Sequence, residues 1–274
     1  MPETNWLALV ISSIGGGVVV KFLDYAHGEY TRRRARREAA KDLLVKHHDP
    51  ILKAADELVG RIRSLAISDF ADFRESTGDF LEVRRAAAMF YFVQFWCQVQ
   101  LMRLDSGATV VAADSAGGRL QTFIQELESR AIRVFDRAWQ RAAGEAILVR
   151  EGPAPPRPMN LFEFASRYES DDKFRHWLTP LHDLLVATGR DPTSRHSVLK
   201  YGAVVHALVD TLDPAHIITS AEDKGWPNKM PPNVRAKLAM GTFRRRLDFV
   251  TNSHKYTEPQ KKERPAGVGS SITE

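Results

Sequence analysis

Apolar residues recur with helical spacing along nearly the whole chain, and no run alternates convincingly in the manner of a strand. The longest apolar run comes first. Residues 6–23 read WLALVISSIGGGVVVKFL, with Lys21 the one charge inside. As a helix this run rises about 27 Å, at the short end of what a bilayer core requires. Arg32, Arg33, Arg34, Arg36, Arg37 and Lys41 follow it, and no basic residue precedes it. This asymmetry predicts a single-pass anchor over residues 1–30, with the N-terminus outside and the body cytoplasmic at the inner membrane. Trp6, Tyr25 and Tyr30 suit the two interfaces, Lys21 can snorkel, and the arginines would lie against anionic membrane lipid. A cleaved signal peptide would carry its positive charge ahead of the apolar stretch, so it fits less well. A buried soluble helix is the other competing reading.

Small residues mark the middle of the run. Ser12/Gly16 and Ser13/Gly17 stand four apart, stack on one helical face and would let two helices approach closely, so the anchor is a candidate for homo-oligomer formation.

Beyond the anchor, residues 31–46 read as a basic helical stalk, 47–252 as a helical bundle and 253–274 as a polar, disordered tail. Asp49-Pro50 reads as an N-cap and first helical position, opening a helix with Ile51, Leu52, Ala55, Leu58, Val59, Ile62 and Leu65 on one face. Residues 79–104 are the most apolar part of the body. Gln94 and Gln98 would face lipid in a second span, so a central core helix is favoured. Residues 106–118 read as a loop and 119–150 as one long helix, broken by EGPAPPRPMN. Shorter helices follow near 161–168 and 172–188, the latter capped by Gly189. Ser194 reads as the cap of a helix carrying Val198, Tyr201, Val205, Leu208 and Leu212, ended by Asp213-Pro214. A basic amphipathic helix near 234–250 carries Arg244, Arg245 and Arg246.

Composition changes little in this picture. The chain has 274 residues, 43% hydrophobic and 27% charged, which is a globular balance. Its net charge of +5 is concentrated in the two basic runs. Cys97 is the single cysteine, so no intrachain disulfide forms, and its apolar surroundings mark it as a core residue.

Candidate chemistry is sparse. No phosphate loop, nucleophile elbow, H-E-x-x-H or cysteine-based zinc site occurs, and no cofactor is expected. The sharpest enzymatic alternative is an HD-type metal-dependent phosphohydrolase using His48-Asp49 and His182-Asp183, since imidazole and carboxylate suit a divalent metal that activates water. Each pair also has a plain structural reading, so no metal is assigned. The arginine runs raise nucleic-acid binding, but no zinc-finger, helix-turn-helix or RNP-like pattern accompanies them, which disfavours it.

Three stretches are similar to a family of uncharacterised bacterial membrane-anchored helical proteins. HDPILKAADELVGRI (48–62) resembles its D-P-L-L-x-A-A-x-x-L-x-x-R stretch through Asp49, Pro50, Leu52, Ala54, Ala55, Leu58 and Arg61. WQRAAGEAIL (139–148) resembles Q-R-A-I-G-E through Gln140, Arg141, Ala142, Gly144 and Glu145. HALVDTLDP (206–214) resembles A-L-v-D-x-L-D-P. The resemblance implies an anchor followed by a cytoplasmic helical body, and it implies no activity. The expectation is therefore a non-catalytic, membrane-tethered module for partner binding, sensing or assembly. A defence or stress effector is one concrete form, with Arg244–Arg246 as a docking patch for lipid or an unknown protein partner.

Overall fold

The computed structural model describes residues 6–74, 79–105, 114–220 and 229–258, with the backbone alone for 6–24, 26, 33, 36, 37, 39–41, 43, 44 and 79–81. The described chain is helical, apart from one small antiparallel pair of strands.

Helix α1 (Trp6–Ile67) is a single element of 62 residues. Its described side chains between Tyr25 and Lys46 are exposed or half-buried, with Val45 at 76% exposure, whereas His47 is buried at 5%. The stalk expected over residues 31–46 is thus continuous with a core helix. Asp49-Pro50 does not open a new helix, because Pro50 lies inside α1. An interior proline removes one backbone donor and costs about 3 kcal/mol. Two features offset that cost. Asp105, at the end of the next long helix, accepts from Lys46 and sits 3.0 Å from His47 Nε2, which fixes the turn ahead of the proline. Beyond it Ile51, Leu52, Ala54, Ala55, Leu58, Val59, Ile62 and Leu65 are buried, and each large apolar side chain there contributes about 1.5–3 kcal/mol.

Among the described residues no helix is long and apolar enough to cross a membrane. The side chains of the anchor run lie outside the described ones, including Trp6, Ser12, Ser13, Gly16, Gly17 and Lys21, as do those of Arg33, Arg36 and Arg37.

A tight turn with Asp69 and Phe70 in the left-handed region (φ 53° and 59°) leads through a 3-10 turn (Ala71–Phe73) towards α2 (Asp79–Asp105). Helix α2 is the central core element expected of the apolar stretch, with Phe92, Val93, Phe95, Cys97 and Met102 buried. It packs on α1 and on three later helices.

Helix α3 (Ser115–Leu127) starts inside the expected Gly-rich loop, because the Asp114 carboxylate accepts from the Ala116 and Gly117 amides. It also stops early. The helix expected over 119–150 is two helices, α3 and α4 (Arg137–Ala146), separated by turns and restarted by Asp136, which caps Ala138. Glu128 sits in that break and clamps Arg103 of α2 and Arg141 of α4. Strands β1 (Leu148–Val149) and β2 (Arg157–Pro158) pair across the proline-rich segment. Helix α5 (Leu161–Ser170) opens with a capping box between Asn160 and Glu163. Helix α6 (Asp172–Thr188) follows directly.

Helix α7 (Pro192–Leu212) carries the predicted buried stripe and packs on α1, α3 and α6. Its cap is Asp191 rather than Ser194. The Asp191 carboxylate accepts from the Thr193 and Ser194 amides, and Pro192 takes the first position. The chain then forms α8 (Pro232–Lys237), a π-helical turn (Leu238–Phe243) and α9 (Arg244–Arg246), which together replace the regular helix expected over 234–250. Helix α10 (His254–Thr257) corrects the boundary of the tail. Tyr256 is buried and reaches Asp210 on α7, so the bundle extends past residue 252, while residues 259–274 lie outside the described ones.

Two glycines allow close approach of backbones. A β-carbon on Gly144 would stand 2.8 Å from the Trp96 carbonyl carbon. Gly189 is a right-handed C-cap (φ −59°), so the left-handed freedom usual at helix ends is not its reason for being glycine. A β-carbon there would stand 2.1 Å from the Phe73 oxygen. In chemical denaturation Gly144→Ala should cost about 1–3 kcal/mol and Gly189→Ala more. Gly60→Ala, on an exposed face of α1 with open space around it, should stabilise by roughly 0.5–1 kcal/mol. Equal effects at the three positions would refute this packing argument.

Candidate functional site

The histidine–aspartate pairs of the hydrolase alternative stay apart. His48 and Asp49 lie on α1 with 3.3 Å between Nδ1 and Oδ1, and His182 and Asp183 lie on α6 at 3.1 Å. Each is an adjacent pair turned on itself. Among the described residues no group of three or more His, Cys, Asp or Glu side chains is placed to hold a metal. Cys97 is fully buried, and burial pushes its thiol up to about 12. Of the first basic run, Arg32 and Arg34 are exposed, and Arg34 pairs with Glu38 at 3.0 Å on the α1 surface. Such a pair contributes little.

The stretches of the family resemblance occupy structural positions. Arg61 donates to the buried Asp72 carboxylate at 3.2 Å and to the Arg84 carbonyl at 2.9 Å. Gln140 and Arg141 line a void of about 20 Å³ with Trp96 and Tyr201, too small for a ligand. Glu145, among small residues, is exposed. The third stretch ends in Asp213-Pro214, and the Asp213 carboxylate accepts from the amides of Ile217, Ile218 and Thr219 and from the Thr219 hydroxyl. That carboxylate shapes the loop that returns His216 to α7.

Asp210 is the centre of a polar cluster at that end of α7. Its Oδ1 lies 3.6 Å from His206 Nε2 and 3.7 Å from His216 Nε2, and its Oδ2 accepts from Lys255 at 2.7 Å and from the Tyr256 hydroxyl. Burial lowers His206 to about 4 against the opposing pull of Asp210, so its imidazole is neutral at pH 7. Burial first, then the Asp210 contact, raises the Tyr256 phenol above its ordinary range. With a neutral histidine and a phenol that keeps its proton, the cluster ties α10 to α7.

The second basic run leads to a second site. Arg244, Arg245 and Arg246 are exposed but do not act alike. Arg244 rests against the Met240 sulfur at 3.9 Å, and Arg246 donates to the buried Glu126 at 2.8 Å. Arg245 instead faces a cleft of about 420 Å³ between α7 and the α8–α9 run. Thr193, His196, Ser197 and Lys200 form one wall, spaced i, i+3, i+4 and i+7 on one face of α7. Lys237, Leu238, Gly241, Thr242, Arg245 and Arg246 form the other, brought to one face by the π-helical turn, a distortion common at functional sites. Ile132 and Val234 complete an apolar floor. No carboxylate lines the cleft among the described residues. Asp191, the N-cap of α7, is held by the Thr193 and Ser194 amides, and Glu126 by Arg246 and Thr242. Arg245 and Arg246 were legible as a basic run and Lys237 lies within the same expected basic helix, whereas Lys200 and His196 stand beside the apolar stripe of α7 and drew no functional reading.

The chain shows no significant match to a family model, to a curated protein or to a solved structure.

The polar groups of α7 set the acid limit of stability. The folded His206 titrates below its ordinary 6.5, so the unfolded chain takes up a proton that the fold refuses, and stability should fall as pH drops from about 6.5 towards 4. Burial pushes the Asp213 carboxyl up, but its hydrogen bonds outweigh this and leave it at about 2. A second loss should therefore follow below the ordinary 3.8. Thermal melts against pH should show both windows, and His206→Gln should flatten the first slope whatever its own melting temperature. An unchanged slope would remove His206 as its cause.

Proposed function

We propose that the chain is a membrane-tethered, non-catalytic helical module. On this reading residues 6–23 lie in the inner membrane, Arg32–Arg37 rest on its cytoplasmic face, and the bundle binds a partner or ligand beside it. One observation carries the reading. Helix α1 is unbroken from the apolar run to the bundle core, so whatever holds its first turns also holds the bundle. The basic residues directly behind the run, and the exposed surface of the described stalk, support the same orientation. The family resemblance agrees with it. Self-association through the Ser12/Gly16 face is compatible, because a continuous helix would pass the pairing on to the bundles.

Carbonate extraction of vesicles from expressing cells tests the tether. The full chain should stay in the pellet, while a variant lacking residues 1–30 should move to the supernatant with its helical circular dichroism kept. Release of the intact protein by carbonate would end the proposal.

A further inference from the structure

The cleft between α7 and the π-helical turn gathers Lys200, Lys237 and Arg245, with His196 at its edge, around an apolar floor. Among the described residues Lys237 and Arg245 make no ion pair, in contrast to Arg246 beside them. The Lys200 ammonium donates only to the Ala131 carbonyl, at 3.1 Å. Burial first, then the Lys237 ammonium, pushes Lys200 below the ordinary lysine range. Like charges held together in a concave, partly dry place are unfavourable until an anion joins them.

We propose that this cleft binds the phosphate group of a small phosphorylated molecule, with Lys200, Lys237 and Arg245 as its cationic contacts. Several converging cations match a group that carries more than one negative charge and accepts several hydrogen bonds, as phosphate does. Ile132, Val234 and Leu238 would take an apolar part of the same molecule. The concavity distinguishes the cleft from a nucleic-acid surface, where cations track an extended backbone. Gly241 stands on the wall of the cleft, and a β-carbon there would meet nothing within 4 Å. The missing side chain keeps the cleft open. The phosphate could belong to a soluble metabolite or to a lipid headgroup, and the chemistry at the three cations is the same. The proposal does not rest on the tether, because a protein released from membranes would still carry the cleft.

Calorimetric titration of the full chain in neutral detergent micelles tests it, with inorganic pyrophosphate as one probe and micelles doped with phosphatidic acid as the other. At least one probe should bind saturably. Lys237→Ala combined with Arg245→Ala should weaken that binding about tenfold or more. Gly241→Leu should weaken it by filling the space, and Arg244→Ala, outside the cleft, should leave it unchanged. Both cation positions are exposed, so the double variant should melt with the wild type; were it to melt early, the Gly241 variant carries the comparison. Binding of pyrophosphate alone assigns a soluble ligand, and binding of phosphatidic acid alone, lost in the Lys237/Arg245 double variant, assigns a headgroup; binding that the double variant keeps overturns the site. Absence of saturable binding by either probe, or an equal loss in Arg244→Ala, overturns the site.

Discussion

Helix α1 has to satisfy two solvents at once. From Ile51 to Ala66 it gives up nine apolar side chains to a core shared with α2 and α7. From Tyr25 to Lys46 the described side chains of the same helix are exposed or half-buried. Isolated helical segments are marginal in water, and most helical stability comes from packing one face. The buried segment must therefore supply the free energy that keeps the rest of the rod aligned. The contacts of Lys46 and His47 with Asp105 mark where that support begins, one turn before the proline that would otherwise divide the helix. The geometry of the bundle follows, because α2 and α7 are the elements that α1 needs to cover its face.

Buried and half-buried acids hold the rest in register. Asp72 is held by Arg61 and Arg84, Glu128 by Arg103 and Arg141, and Glu126 by Arg246 and Thr242. In each case the carboxylate sits on a turn or a helix end, and its partners come from other elements. A buried ion pair is a poor source of net stability, but removing one partner is costly, so such pairs penalise wrong arrangements more than they reward the right one. These acids accordingly stand at the joints of the bundle and not at mid-helix.

Much of the fold was legible because it depends on local pattern. The stripe of Val198, Tyr201, Val205 and Leu208 and the amides of the 79–104 stretch pointed to core helices, and both are core helices. The errors fall where tertiary contact overrides local preference. Pro50 reads as a helix start because the support from Asp105 lies more than fifty residues away. The break between α3 and α4 has no proline or glycine to mark it, since its cause is the Glu128 clamp. The segment around Tyr256 reads as tail because its value is a contact with Asp210. For the same reason only the arginines of the cleft were visible beforehand. The spacing of Thr193, His196, Ser197 and Lys200 is plain in the sequence, but nothing there says that a π-helical turn lies across it.

The two basic clusters carry the net charge and differ in what that charge can do. On the stalk the described arginines, Arg32 and Arg34, are exposed, and Arg34 pairs weakly with its own neighbour Glu38. Fields from such charges are screened within about 8 Å at physiological salt, and they fit any anionic surface of sufficient extent. In the cleft the cations converge from two elements onto one volume, one of them partly dehydrated, with low-dielectric walls that strengthen every interaction inside. A spread cluster selects by proximity, and a convergent one selects by shape and charge number. Selectivity at the proposed phosphate site would therefore reside in the bundle, where helix packing sets the distances between cations, rather than on the stalk.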